Sequence, residues 1–69
     1  MSIFSTRLRE LRLEKGLRQK DLADALGLTL RSICNYEAGT REPCFSLLIK
    51  ICKFFDVSAD YLLGLTDSY

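Results

Sequence analysis

Histidine is absent from this 69-residue chain, proline occurs once and glycine four times. Without imidazole, Cys34, Cys44 and Cys52 cannot complete an ordinary zinc site, and an odd cysteine count at spacings of ten and eight does not read as a disulfide framework. Reduced thiols serving as small apolar residues are the expected state. No cysteine has an evident base or oxyanion arrangement nearby, so nucleophilic catalysis lacks its parts. Neither an enzyme nor a metal nor a cofactor is expected. No apolar run reaches the roughly 18 residues a membrane helix needs. Met1 to Phe4 lead straight into an amphipathic segment, so no secretory leader is expected and the cytoplasm is the expected compartment. What remains is 48% hydrophobic residues in a length that suits one small domain, 1–69, of compact helical character.

Twenty residues organise the rest, the stretch QKDLADALGLTLRSICNYEA from Gln19 to Ala38. Leu22, Ala23 and Leu26 cover one face of a first short helix, and Leu28, Ile33 and Tyr36 cover one face of a second. Gly27 stands where the first helix must stop and can take positive φ without a Cβ clash. Ala23, one turn earlier, is small enough to let the second helix cross closely. A small residue, a glycine and flanking aliphatics in this order form the pattern of a DNA-binding helix-turn-helix, whose second helix enters the major groove.

Around this hairpin the periodicity predicts three further helices and no strand. The first runs from Ser2 or Ser5 to Lys15, with Phe4, Leu8 and Leu11 inward, Arg7, Arg9, Glu10 and Glu14 mostly outward, and Gly16 ending it. Arg12 borders the apolar stripe, and a buried arginine requires an acidic partner, for which Glu37 is the choice. Arg18 occupies the N-cap position of the second helix, where Ser, Thr or Asn would be better by about 1 kcal/mol. Thr29 is a good N-cap for the third, which stops at Gly39. After the loop GTREP, where Pro43 disfavours helix at Glu42 and can itself open the next, a fourth helix carries Leu48, Ile51, Cys52 and Phe55 at helical spacing, with Leu47, Ile49 and Phe54 on flanking faces. Ser58 caps a short fifth helix, whose Tyr61, Leu62 and Leu65 either pack back or face a partner.

The net charge is only +1, but it is unevenly spread. Residues 1–41 hold eight Lys and Arg against five acids, a surplus of three positive charges. Residues 42–69 hold two against four, a deficit of two. The positive part coincides with the hairpin, although ordinary solvated surfaces also show differences of this size.

The segment LRELRLEKGLRQKDLADALGLTLRSICNYEAGTREP, followed by LLIKICKFFDVSADYLLGLTD, resembles the lambda-repressor-like helix-turn-helix domains of the Cro and XRE type over residues 7–67. The hallmarks in register include Gly16-Leu17, Gln19, Leu22-Ala23, Leu26-Gly27, Ile33, Glu37, Gly39, Pro43, Val57-Ser58 and Tyr61-Leu62-Leu63-Gly64. The resemblance implies an all-α fold of five helices, with helices 2 and 3 as the motif, in a bacterial or phage protein. It further implies a homodimer binding double-stranded operator DNA, usually to repress transcription. Carried over position by position, Gln19 would meet a phosphate and brace helix 3, and Thr29, Leu30, Arg31 and Asn35 would reach base edges and nearby backbone. Arg41 matches a frequent phosphate contact, and Arg12 with Glu37 a structural ion pair. Arg18, Cys44 and Cys52 depart from the family's usual residues, and Arg18 could add a backbone contact. Leu30 departs most, since an aliphatic group can only pack on a thymine methyl.

The residues alone support the same division. With Ile33 and Tyr36 inward, Leu30, Arg31, Cys34 and Asn35 point elsewhere. Arg31 can pair with guanine and Asn35 with adenine, each discriminating by about 1–3 kcal/mol. The competing reading makes Arg31 and Asn35 solvated helix residues, and Gln19 and Arg41 capping or loop groups. Two copies would double the phosphate and base contacts of so small a domain. Phe45, Phe54, Tyr61, Leu65 and Tyr69 are the candidates for a dimer contact through helices 4 and 5 and the C-terminal segment. A protein-interaction module, such as an antagonist that pairs with a repressor without touching DNA, is the alternative.

Overall fold

A computed structural model describes residues 2–69; Met1 and the expectation about its segment lie outside them in part. Five helices follow one another: α1 Ile3–Glu14, α2 Gln19–Leu26, α3 Leu30–Ala38, α4 Phe45–Phe55 and α5 Ala59–Leu62. No strand occurs among the described residues. No helix there is long and apolar enough to cross a membrane.

Local chemistry sets most helix ends. Ser2 caps α1 by accepting from the Ser5 N–H at 3.1 Å, and Thr29 and Ser58 cap α3 and α5 in the same way, from Ser32 and Tyr61. At the other end of α2, Gly27 adopts φ 70°. The Leu28 N–H then reaches the Ala23 carbonyl at 2.8 Å and the Gly27 N–H reaches that of Asp24 at 3.3 Å, so the chain reverses with its last carbonyls satisfied. α4 ends on the same geometry without glycine. Asp56 takes φ 56°, a conformation aspartate tolerates better than most residues.

Leu8, Leu22, Ile33 and Leu62 are fully buried at the centre, with Phe4, Leu11, Ala23, Leu26, Tyr36, Ile51, Phe55 and Val57 around them. Each large aliphatic group there contributes about 1.5–3 kcal/mol of transfer free energy. The hairpin thus has one rigid support. Lys50 adds a second tie, since its Nζ donates to the Leu26 carbonyl at 2.7 Å and joins α4 to the end of α2.

Three expectations require correction. Leu47, expected on a flank of α4, is buried with Ile51 and Phe55, while Leu48 and Cys52 are only half-buried. Of the two placements open to Leu65, the structure takes the outward one, at 74% exposure. Arg7 is not outside. Its guanidinium lies 4.3 Å from the centre of the Tyr61 ring and donates to the main-chain oxygens of Tyr61 and Thr66 and to Asp67. Tyr61 is therefore occupied within its own chain and buried, covered on another edge by Tyr69 at 4.7 Å between ring centroids.

Candidate nucleic-acid interface

The outward side of α3 carries three of the expected groups. From α3, Leu30 and Arg31 project into solvent, Leu30 at 48% exposure, and Asn35 follows one turn later, half-buried. Arg31 forms no ion pair among the described residues. Among the described residues the Asn35 side chain has one hydrogen bond, its Oδ1 accepting from the Thr40 hydroxyl at 3.5 Å, and its amide protons have no acceptor there. Arg41, just beyond α3, is exposed, holds its guanidinium carbon 5.6 Å from the Tyr36 ring centre and forms no ion pair among the described residues.

Thr29 turns its hydroxyl toward its own helix. Its hydroxyl accepts from the Ser32 N–H at 3.1 Å and contacts the Ser32 Oγ at 3.0 Å, so it is committed to the start of α3. Arg18 is committed as well. Asp21 accepts from its main-chain N–H at 2.9 Å and from its guanidinium at 3.1 and 2.9 Å. Those bonds hold the Asp21 carboxyl down at about 2, the side-chain contact to Arg18 contributing most. An arginine has no acceptor, so no side chain caps the first N–H groups of α2. Those of Gln19 and Lys20 have no acceptor among the described residues.

Behind this surface sits the ion pair expected between Arg12 and Glu37. Arg12 Nε donates to Glu37 at 2.7 Å and its Nη2 at 3.1 Å, while Nη1 donates to the Leu17 carbonyl at 2.8 Å. Both residues are buried. Gln19 joins them through Nε2, 3.2 Å from Glu37, and so does brace α3. Arg9, Arg12, Gln19, Cys34 and Glu37 line an open cleft of about 490 Å³ beside the start of α2. Arg9 is the residue that sequence reasoning missed. Its place three residues before Arg12 on α1 was the available signal, since residues three apart share a helix face.

A short helix that stops on glycine, a second helix crossing it, and unpaired polar groups along the second define a helix-turn-helix domain. The chain belongs to the helix-turn-helix family, whose profile matches residues 8–62 and is of the Cro and C1 type. YqaE of Bacillus subtilis, an uncharacterised helix-turn-helix-type transcriptional regulator, is 46% identical over 61 residues, which are 88% of this chain and 53% of YqaE. Among solved structures, the restriction-modification controller protein C.AhdI of Aeromonas hydrophila is 35% identical with a TM-score of 0.77, over 87% of this chain and 91% of that one. The P22 c2 repressor, solved in complex with a synthetic operator, is 28% identical with a TM-score of 0.83, over 91% of this chain and 96% of that one. The chain spans about half the length of the curated relatives it matches.

Proposed function

We propose that this chain is the DNA-binding unit of a bacterial or phage transcriptional regulator. It acts in the cytoplasm by occupying an operator rather than by catalysis. The observation that carries the reading is the shared face of α2 and α3. Arg31 and Asn35 have free hydrogen-bonding groups on a helix whose opposite side is locked in the core, next to the uncapped start of α2. The likeness to a repressor solved on an operator supports it.

In this reading Arg31 donates to guanine, Asn35 to adenine, and Leu30 packs on a thymine methyl. Gln19, Arg41 and Arg9 hold phosphates, and Thr29 contributes through the backbone it caps. Arg18, clamped on Asp21, has the smallest part. Two copies related by a two-fold axis would set their α3 helices about 34 Å apart on a palindrome.

Selection of bound duplexes from random DNA, followed by anisotropy over a salt series, tests this. Log affinity should fall with log salt by about 0.9 for each neutralised phosphate. Arg31→Ala should lose about 1–3 kcal/mol and relax the preference at one base pair per half-site. Absence of any salt-dependent duplex binding would sink the proposal. A stable complex with a repressor under those conditions would select the antagonist instead, a reading that the exposed Leu30 also fits.

A further inference from the structure

Gln19 opens α2, and its amide is held from two sides. Nε2 donates to Glu37 at 3.2 Å, and the Cys34 thiol donates to Oε1 at 3.3 Å. Chemistry fixes this orientation. A carboxylate gripped by arginine only accepts, so the NH2 end must face Glu37 and the carbonyl end must face α3. There the residue at position 34 has to be a donor. A single hydrogen bond to Glu37 would leave the amide free to turn about that bond. The second one stops the rotation.

Once the amide is fixed, one Nε2 proton has no protein partner. It lies at the same helix start as the main-chain N–H groups of Gln19 and Lys20, which also lack acceptors among the described residues. Three donors at the positive end of a helix dipole suit one phosphate oxygen cluster. Cys34 itself is half-buried and lines the cleft behind Gln19, so its thiol supports the contact instead of making it.

We infer that Cys34 is a positioning residue for DNA binding: its thiol holds the Gln19 amide so that the start of α2 grips one backbone phosphate. The inference rests on the proposed operator binding. Cys34 is thereby more than a small apolar filler, and it works through a neighbour that the sequence separates from it by fifteen residues.

The test is a double-mutant cycle on operator DNA. Cys34→Ala removes the donor, Cys34→Ser keeps one, and each is measured with Gln19 present and in the Gln19→Ala background. Cys34→Ala should weaken binding about five-fold when Gln19 is present, the scale of one positioned hydrogen bond. It should have no effect when Gln19 is gone, and Cys34→Ser should retain most of the affinity. Replacing single phosphates by neutral methylphosphonates should reveal one position that wild type and Cys34→Ser sense and Cys34→Ala does not. Equal losses in both backgrounds, or no loss in either, would overturn the inference. The side-chain amide resonances of Gln19 in the free protein provide a reading without DNA. They should move toward the values of a free glutamine in Cys34→Ala and stay in Cys34→Ser. Should wild type bind no DNA, the operator reading fails, and an unmoved Gln19 amide would then overturn the positioning role as well.

Discussion

Glu37 receives donors from Arg12 and Gln19 on two buried oxygens, and removal of either charge strands the other in a low-dielectric place. Glu37→Gln should cost about 3–5 kcal/mol, because the guanidinium would remain buried without its counter-charge. A domain of this length has only about 3–10 kcal/mol in total at 0.05–0.15 per residue, so urea unfolding should begin near zero denaturant. Arg12→Met combined with Glu37→Leu should recover most of that loss, since no charge is left to strand. This pair was legible from the chain alone, because an arginine bordering an apolar stripe must find an acid. The third bond, from Arg12 to the Leu17 carbonyl, was not legible, since it depends on how Gly16 turns the chain. The same holds for Arg7. Its spacing on α1 does not put it beside Arg12 as that of Arg9 does, and nothing local shows that it closes over Tyr61 while Arg9 lines the cleft.

At the level of the element, α2 starts without a capping oxygen and relies on Asp21 instead. The Asp21 carboxyl falls from 3.8 to about 2 on folding, chiefly through its bonds to Arg18. A carboxyl depressed by folding stabilises the native state above its unfolded value and loses that contribution as pH falls through its folded value. Thermal unfolding followed by circular dichroism should therefore show an acid limb between about pH 4 and 2. Asp21→Asn should flatten this limb, and Arg18→Ala should move it toward the ordinary carboxyl range. The proposal of a backbone contact from Arg18 becomes weaker for the same reason, as its charge is already matched. α4 teaches a different lesson. With eight of its eleven residues apolar, several stripes satisfy helical spacing. Only contact with the rest of the core selects Leu47, Ile51 and Phe55 over Leu48 and Cys52.

For the whole molecule, apolar groups are left uncovered on α1, α3, α4 and the C-terminal segment. Phe45 is 86% exposed and lines, with Ile3, Pro43, Leu48 and Leu63, a groove of about 330 Å³. With Tyr61 withdrawn into the chain, Phe45, Phe54, Leu65 and Tyr69 remain exposed as candidates for the contact of the proposed dimer, and Leu63 joins them beside the groove. Phe45→Glu should shift the protein from dimer to monomer in sedimentation and weaken operator binding. The melting temperature of the monomer should stay unchanged, because so exposed a ring supports little of its own core.

The sequence by itself determined the five helices, the turn at Gly27, the family pattern and the Arg12 pairing with Glu37. Each depends on local propensity, on a backbone conformation reserved for few residue types, or on an unavoidable need for a partner. Tertiary structure alone decided which face of α4 is buried, that Arg7 and Tyr61 close on each other, and that Cys34 reaches Gln19. Those outcomes depend on distances between residues far apart in the chain, and spacing along a sequence holds no such distances. Of the stretch from Gln19 to Ala38, the turn and the inward face were therefore readable in advance except at Leu28, which lies half-buried in the turn and not on α3, while the bond that steadies its first side chain was not.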